Sequence, residues 1–280
     1  LNRVFLENKI DIVYHIAAYK NVSIIENQLH SAIKNNIIGT LNIIELSYEF
    51  SINKFIFVST DKAVKPINVL GYTKRFGEIL TLYYSKLSID KKKHTSFNCV
   101  RFGNVFGSSG SVINIFKEQI ENGGPITVTN KKMERYFMSI SEAVKLVLYS
   151  NTLKKINSNI FCLDMGERIK IYDLAKKMIF LSGNRYKKNL SSKHGIGIKL
   201  IGKFDTEKLK EELFLDNNFN KTEIKNIFTV KEEIKNSKQF LEDISYLDKN
   251  INLASKSKIM KFFKKYVEGF NRLSRNKYNI

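Results

Sequence analysis

The chain has 280 residues, 43% of them hydrophobic, and carries 47 lysines and arginines against 27 acidic residues, a formal net charge of +20. A chain of this length is long enough to bury a sizeable core, either as one α/β domain with a smaller lobe or as two domains. No apolar run approaches the roughly 20 residues that span a bilayer, and no secretory signal pattern opens the sequence. The basic residues are not interleaved with aromatic residues as in nucleic-acid-binding proteins, so we expect no nucleic-acid partner.

The sequence contains two cysteines, Cys99 and Cys162, and both stand in apolar stretches that are typical of strands. This pattern indicates buried thiols rather than a disulfide framework. We therefore expect a protein of the reduced cytoplasm.

The first part of the chain alternates between strand and helix patterns. A helix ends within residues 1–10, and apolar runs then predict buried strands at residues 11–18, 54–58 and 96–102. Helical patterns at residues 24–50 and 69–87 separate these strands. The alternation predicts an α/β fold with an incomplete Rossmann-like, doubly wound parallel sheet and a smaller C-terminal lobe.

The rest of the chain begins with a glycine-rich loop, G-N-V-F-G-S-S-G at residues 103–110, which matches neither G-x-G-x-x-G nor the P-loop spacing. Ser141 is a plausible N-cap for the helix that follows R-Y-F-M. The pattern from Asp205 onward is helical and rich in lysine. Further elements are predicted as helices at residues 112–121 and 171–181 and strands at residues 126–129, 159–163 and 196–201.

The densest group of reactive side chains follows the strand at residues 54–58. Thr60, Asp61 and Lys62 come directly after it, and Lys74 lies on the next predicted helix. In open α/β sheets, ligands bind where parallel strands end. A carboxylic acid and an amine beside one carbon skeleton divide an elimination between them, since the amine removes a proton and the acid protonates the leaving hydroxyl. The alternative is a solvated turn, because S-T-D-K is also common at surfaces.

The string S-T-D-K-A-V-K-P-I-N-V-L-G-Y-T-K-R resembles the active-site segment of the polysaccharide-biosynthesis nucleotide-sugar dehydratases. These are extended short-chain dehydrogenase/reductases that include UDP-N-acetylglucosamine 4,6-dehydratases. The segments H-I-A-A-Y-K-N-V, N-N-I-I-G-T-L-N and V-R-F-G-N-V-F-G-S-S-G-S-V-I carry the same resemblance, which extends over residues 1–235.

The resemblance implies a mechanism. NAD(P) oxidises the sugar at C4, water leaves across C5 and C6, and hydride returns to C6. Lys62 would be the base at C5, Asp61 the acid at C6, and Thr60 the partner of the C4 hydroxyl. Lys74 would bind the nicotinamide ribose, with Ala17, Ala18 and Tyr19 lining the cofactor. A UDP-sugar would be held by Lys20, Asn104 and Arg135, and its diphosphate would face the two cations.

Three features depart from the family pattern. Leu70 stands four residues before Lys74, where the wider superfamily has a tyrosine, and Tyr72 faces elsewhere on the helix. The family's R-P-G-E-K is replaced by F-D-T-E-K at residues 204–208, with Lys203 as a partial substitute for the arginine. No G-x-G-x-x-G occurs. The last departure predicts a C-terminal fragment, with membrane attachment only through a missing N-terminal part.

Three interpretations remain open at this point. The leading one is a nucleotide-sugar 4,6-dehydratase that forms a homo-oligomer when complete. A 4-epimerase needs the same C4 oxidation without the elimination pair. A non-catalytic relic or partner-binding subunit is the third. We expect a partial dinucleotide-binding domain over residues 1–125, interleaved with a substrate-binding lobe and helical tail over residues 126–280.

Overall fold

Residues 54–60, K-F-I-F-V-S-T, form a strand in which all five inner residues are buried. Residues 96–102, S-F-N-C-V-R-F, form the next strand, and the two run parallel along their whole length. A strand buried on both faces needs helices packed above and below it. These two strands therefore form the middle of a layered α/β fold.

The computed structural model describes residues 1–153, 159–190, 194–215, 219–232 and 237–267. A π-helical turn (Lys34–Ile38) precedes α4, and a 3₁₀ turn (Asp61–Ala63) follows β2. The helices are α1 (Asn2–Glu7), α2 (Val22–Ile25), α3 (Leu29–Ile33), α4 (Gly39–Glu49), α5 (Val69–Asp90), α6 (Val112–Glu121), α7 (Ile140–Ser150), α8 (Ile171–Leu181), α9 (Ser237–Asn250) and α10 (Lys256–Tyr266). The strands are β1 (Ile12–His15), β2 (Lys54–Thr60), β3 (Ser96–Phe102), β4 (Asn104–Val105), β5 (Ile126–Val128), β6 (Glu134–Arg135), β7 (Phe137–Met138), β8 (Asn159–Leu163), β9 (Ile169–Lys170), β10 (Tyr186–Lys187), β11 (Ile196–Leu200), β12 (Asn220–Lys221) and β13 (Ile227–Lys231).

The main sheet has the strand order β1-β2-β3-β8-β13-β12. Its first four strands are parallel, β13 is antiparallel to β8, and β12 is antiparallel to β13. The predicted α/β class with a Rossmann-like parallel sheet is confirmed. The prediction of helix from Asp205 onward was wrong up to the end of β13. This strand contains a short apolar run, I-F-T-V, that is flanked by lysines. That run extends the sheet and buries Ile227 and Val230.

Two predicted elements of the first part are shorter or more broken than the sequence indicated. The strand predicted over residues 11–18 ends at His15. The helix predicted over residues 24–50 is divided into α2, α3, the π-helical turn and α4. The helix is interrupted at residues 26–28, and the π-helical turn includes the N-N-I-I of N-N-I-I-G, where asparagine and glycine weaken a regular α-helix. Such π-helical insertions are frequently found at functional sites.

The N-cap of α7 is Ser139, not the predicted Ser141. The amide of Glu142 donates to Ser139 Oγ at 3.2 Å, and the amide of Ser139 donates to Glu142 Oε2 at 2.9 Å. This reciprocal pair is the capping box that S-x-x-E encodes. Ser141 lies inside the helix instead.

The chain divides into two compact units. The first unit contains the main sheet, and its core includes an aromatic cluster in which α9 and α10 pack on α5. Tyr72 stacks on Phe263 at 5.2 Å between ring centroids, and Phe76 stacks on Phe262 at 4.9 Å. This unit consists of residues 1–102, 146–164 and 212–280.

The second unit consists of residues 103–145 and 165–211. It contains a parallel three-stranded sheet of order β10-β11-β5, and residues of α6 and α8 such as Phe116 and Ile179 complete its core. The prediction of functional domains divided at residue 125 stays a prediction. The predicted helical tail beyond residue 267 lies outside the described residues.

Both cysteines are free and buried, as the sequence predicted. Cys99 lies on β3 and Cys162 on β8, which are neighbours in the main sheet. Within the part of the chain that the structure describes, no helix is both long enough and apolar enough to cross a membrane.

Candidate active site

Three of the four side chains predicted to carry catalysis, all but Lys74, form one hydrogen-bonded cluster at the end of β2. Thr60 is still extended, and the chain then turns through a single 3₁₀ turn. Thr60 Oγ1 donates to Asp61 Oδ1 at 2.9 Å, and Lys62 Nζ donates to the same oxygen at 3.0 Å. The turn thus brings adjacent side chains, which would diverge in a strand, onto one carboxylate oxygen.

The carboxylate of Asp61 is fully buried, yet only one of its oxygens is satisfied. Oδ1 receives both hydrogen bonds of the cluster, whereas Oδ2 is buried without a hydrogen-bond partner in the described residues. Lys62, in contrast, keeps 17% of its side chain exposed. Leaving a buried acceptor unpaired costs about 1–3 kcal/mol, so such an atom commonly has a functional reason.

The helix α5 begins directly against this turn. Asn68 Oδ1 caps it by accepting from the amide of Gly71 at 2.8 Å. Position 71 requires glycine, because a Cβ there would lie 2.3 Å from the carbonyl oxygen of Lys62. The close approach fixes the first turn of α5 relative to Asp61 and Lys62, with Lys74 one turn further along.

Lys74 is almost completely buried, with 7% of its surface exposed. Its ammonium lies 4.3 Å from the centroid of the Phe57 ring and has no hydrogen-bond acceptor among the described residues. Burial lowers the pKa of Lys74 to about 8, although the charge of Glu78 opposes the shift. The group therefore remains mostly charged at neutral pH and retains its donors for a ligand hydroxyl.

Leu70 is buried in the hydrophobic core, so no phenol occupies the position four residues before Lys74. Tyr72 is fully buried and stacks on Phe263 of α10. Its ring is part of the packing between α5 and α10, which agrees with the expectation that it does not replace the missing tyrosine.

The residues predicted to line the cofactor lie in the loop after β1. Ala17, Tyr19 and Lys20 are exposed there, and Ala18 is half-buried. Asn36, in the π-helical turn, holds this loop: its Oδ1 accepts from the amide of Tyr19 at 2.7 Å, and its Nδ2 donates to the Tyr19 carbonyl at 2.9 Å.

The same Asn36 side chain reaches α5. Its Nδ2 also donates to Thr73 Oγ1 at 3.1 Å, next to Lys74 in sequence. The loop after β1 is thereby tied to the helix that carries Lys74. One signal of this role is present in the sequence: N-N-I-I-G-T is rich in poor helix formers, which indicates a packing or site reason for the string.

His15 and a buried ionic cluster were missed at the sequence level. His15 Nε2 lies 2.8 Å from Thr40 Oγ1, and burial followed by the charge of Lys74 lowers the pKa of His15 to about 4. It is therefore neutral at pH 7. Beneath Thr60, the carboxylate of Glu78 accepts from Ser59 Oγ at 2.6 Å and from Arg101 Nη2 at 2.7 Å.

Asn104 and Arg135 belong to the second unit. Asn104 pairs with Phe137 between β4 and β7. Arg135 is 9% exposed, and its Nη1 donates to the carbonyls of Glu134 at 2.8 Å and Leu209 at 3.3 Å. Their roles toward a nucleotide-sugar stay predictions, as do those of the cofactor and catalytic residues.

Lys203, considered as a substitute for the missing arginine, is engaged locally. Its ammonium donates to the carbonyl of Phe204 at 3.1 Å and to that of Glu207 at 3.0 Å. The ammonium therefore stabilises the F-D-T-E-K turn.

A parallel sheet of this order, with polar side chains gathered after one of its inner strands, defines a Rossmann-like α/β protein. The family model described as "Polysaccharide biosynthesis protein" matches residues 1–232. The chain belongs to this family, and the resemblance drawn from its motifs is confirmed.

Among curated proteins, the chain is 50% identical over 205 residues to the capsular polysaccharide biosynthesis protein CapD of Staphylococcus aureus, covering 73% of this chain and 32% of CapD. It is 35% identical over 228 residues to the UDP-N-acetylglucosamine 4,6-dehydratase (inverting) of Campylobacter jejuni serotype O:2, covering 81% and 63% respectively. It is 40% identical over 146 residues to the UDP-glucose 4-epimerase of Rickettsia canadensis, covering 50% and 41%. The matched region thus corresponds to about a third of the length of CapD.

Among solved structures, the chain is similar to Pen from Bacillus thuringiensis, with a TM-score of 0.71, 33% identity, and coverage of 82% of this chain and 70% of Pen. It also matches the UDP-glucuronic acid 4-epimerase of Bacillus cereus, solved with UDP-glucuronic acid and NAD, with a TM-score of 0.57, 23% identity, and coverage of 71% and 68%. The second likeness supports the fold alone.

Proposed function

We propose that this chain carries the elimination site of an NAD(P)-dependent nucleotide-sugar 4,6-dehydratase that acts on a UDP-N-acetylhexosamine in polysaccharide biosynthesis. The observation that carries the proposal is the cluster of Thr60, Asp61 and Lys62, in which Oδ2 of Asp61 is buried and has no hydrogen-bond partner among the described residues. The likeness to the C. jejuni dehydratase agrees with it.

The geometry of the pair suits the two proton transfers of an elimination. Lys62 Nζ already donates to Asp61 Oδ1 at 3.0 Å, so moving one proton across this bond converts the ion pair into a free amine and a carboxylic acid. The Lys62 amine then takes the C5 proton of the sugar. Asp61 gives its proton to the C6 hydroxyl, the C6–O bond breaks, water leaves and a C5–C6 double bond forms.

Thr60 and Lys74 have supporting roles in this proposal. The Thr60 hydroxyl, at the rim of the cluster, accepts a hydrogen bond from the C4 hydroxyl. The buried Lys74 ammonium donates to ribose hydroxyls and maintains a positive potential that favours loss of the C4 hydroxyl proton. Leu70 supplies no phenol for that proton, so the proton passes to another acceptor, such as water.

The described residues fit one end of NAD(P). The Lys74 ammonium, which has no hydrogen-bond acceptor in the described part of the chain, and the loop at Ala17, Ala18 and Tyr19 suit the nicotinamide ribose. When bound, NAD(P) supplies hydride acceptance from C4 and hydride return to C6. The 280 residues contain no G-x-G-x-x-G for the pyrophosphate, and we propose that polypeptide outside them supplies that loop.

The remaining expectations belong to the same proposal. By the resemblance to the dehydratase family, Lys20 and Arg135 bind the diphosphate of the UDP-sugar, and Asn104 is a further contact residue. The complete protein is a homo-oligomer that works in the cytoplasm. A 4-epimerase is the second candidate, because the R. canadensis enzyme is 40% identical over 146 residues.

The test compares this chain with the product that includes the codons upstream of Leu1, each incubated with NAD⁺ and UDP-N-acetylglucosamine. Mass spectrometry of the sugar distinguishes the candidates, because a dehydratase gives a product lighter by one water and an epimerase gives an isomer of unchanged mass. We expect the lighter product from the longer polypeptide. An unchanged mass with inverted C4 would replace the dehydratase by the epimerase.

Two variants connect the product to the site. Asp61→Asn and Lys62→Met in the longer polypeptide should abolish dehydration while UDP-sugar binding, measured by calorimetry, persists. Retained dehydration in either variant would contradict the proposed roles. Lys86→Met removes an exposed lysine of α5 and is the control.

A further inference from the structure

The helices α9 and α10 form a hairpin with a groove of about 340 Å³ along it. The groove has an apolar floor that includes Leu247, Ala254 and Phe262. One wall carries lysines: Lys258, Lys261 and Lys265. The groove belongs entirely to the first unit and lies on the C-terminal helices, so it shares no residue with the cluster at the end of β2.

The lysines form a row along α10. Their spacing of three and then four residues places them on one face of the helix, over a length of about 10 Å. Lys258 and Lys261 are exposed and have no carboxylate partner in the described residues. The groove's acidic residue, Asp243, is already paired with Lys265 and accepts from Tyr266 Oη at 2.5 Å. The positive charge of the wall therefore comes from Lys258 and Lys261.

The opposite face of α10 is occupied. Ile259, Met260 and Phe263 are buried, and the stacking of Phe263 on Tyr72 fixes the helix on α5. The helix is thus not an amphipathic segment that releases its apolar face into a bilayer. What it presents outward is the lysine row.

Two large apolar side chains stand out beside this row. Leu253, in the turn after α9, is 88% exposed, and Tyr246 on α9 is 67% exposed. Exposed aliphatic and aromatic groups next to lysines match the interfacial zone of a membrane, where lysines meet phosphates and aromatic rings lie at headgroup depth.

We propose that this surface, defined by Lys258, Lys261, Tyr246 and Leu253, docks the protein peripherally on a membrane that contains anionic phospholipids. The lysine row binds the headgroup phosphates, and Leu253 and Tyr246 enter the interface. The proposal does not depend on the proposed catalytic function. It concerns the described helices alone.

The test is co-sedimentation of the 280-residue chain with vesicles of phosphatidylcholine, with and without phosphatidylglycerol. We expect binding only to the anionic vesicles, weakening as salt is added. Lys258→Gln combined with Lys261→Gln should lower the partition coefficient about 30-fold, because each lysine near an anionic surface contributes a factor of roughly five. Leu253→Ser should lower it several-fold without changing the net charge.

The control is Lys86→Gln combined with Lys91→Gln, which removes the same charge from exposed positions at the end of α5. An equal loss in both double variants would overturn the proposal, since net charge alone would then explain the binding. Complete release by inorganic phosphate at matched ionic strength would identify a small-anion site instead. Complete release of the protein from the vesicles by polyglutamate at the same ionic strength would identify an acidic protein as the partner, and would also overturn the proposal. Circular dichroism verifies that each variant is folded.

Discussion

Gly77 lies against the ring of Phe57 so closely that a Cβ at position 77 would be 2.2 Å from Phe57 Cζ. The same ring holds the Lys74 ammonium at 4.3 Å from its centroid. The absence of a side chain at position 77 therefore determines where the ring sits. Through the ring, it also determines where the buried cation of the candidate site sits.

Gly77→Ala should destabilise the protein even though alanine is the better helix former. Phe57 is 1% exposed and cannot move without disturbing the core, so overpacking should cost about 1–3 kcal/mol. Chemical denaturation measures the loss. Gly39→Ala is the matched control, because its new Cβ would lie 3.6 Å from its nearest neighbour, an ordinary contact. That variant should be neutral or more stable by up to about 1 kcal/mol. Equal effects at both positions would contradict the packing argument.

Lys74 should make stability depend on pH in the alkaline range. Burial lowers its pKa to about 8 from the ordinary 10.5, so between these values the unfolded chain binds more protons than the folded one. Stability due to this residue therefore rises as the pH increases through that range. Relative to Lys74→Met, the wild type should gain roughly 2–3 kcal/mol between pH 7 and pH 10.

The measurement is urea unfolding of both proteins at several pH values, with the difference taken at each pH. Taking the difference removes the titration of every other group that the two proteins share. Lys86→Met, which removes an exposed ammonium from the same helix, is the control and should show no such trend. A difference that stays constant with pH would show that burial does not lower the pKa of Lys74.

Much of the fold follows from local patterns. The strands β2 and β3 are apolar runs buried on both faces, and α5 follows a proline-containing loop with Asn68 as its cap. The cluster of Thr60, Asp61 and Lys62 could also be located, because side chains after a parallel strand lie at the ligand-binding edge. Each of these features is encoded within a few consecutive residues.

What the sequence did not show depends on contacts between distant segments. Asn36 acts through the backbone of Tyr19, 17 residues earlier, and that contact requires the π-helical turn. The strand β13 is a five-residue run within a lysine-rich region, and its pairing with β8 and β12 makes it a strand. Arg101 and Glu78 are 23 residues apart and meet because α5 packs on β3.

Asn36→Ala should loosen the loop after β1. The substitution removes both hydrogen bonds to the Tyr19 backbone and the bond to Thr73. Because the Asn36 side chain is buried, we expect a loss of about 1–2 kcal/mol in the free energy of unfolding. Hydrogen exchange of a peptide covering Tyr19 should be about tenfold faster.

Asn27→Ala supplies the comparison for that variant. Asn27 is exposed, and within the described residues its side-chain amide donates only to the Ser23 carbonyl, at 3.4 Å. It should change stability by less than about 0.5 kcal/mol and leave exchange at Tyr19 unaltered. If exchange at Tyr19 were also unaltered in Asn36→Ala, the loop would be held by something other than Asn36.

Glu78 should be among the most sensitive positions in the chain. Its carboxylate is fully buried and receives Arg101 Nη2 at 2.7 Å and Arg75 Nη1 at 2.9 Å. Glu78→Gln leaves two buried guanidinium groups without this charge, which should cost about 3–5 kcal/mol. Glu212→Gln is the control, since the pair of Glu212 with Lys65 is more than 40% exposed on both sides. That pair should contribute less than about 1 kcal/mol.

The dependence of stability on acidic pH gives an independent test of the role of Glu78. Burial alone would raise the pKa of Glu78, but the charge and hydrogen bond of Arg101 outweigh it and lower the pKa to about 2. The stability from Glu78 is therefore present above its ordinary pKa of 4.5 and is lost as the pH falls toward 2. The difference between wild type and Glu78→Gln should shrink by roughly 2 kcal/mol from pH 5 to pH 3. A difference that widened on acidification would mean that the folded protein holds Glu78 protonated, and that burial rather than the arginines governs the carboxyl group.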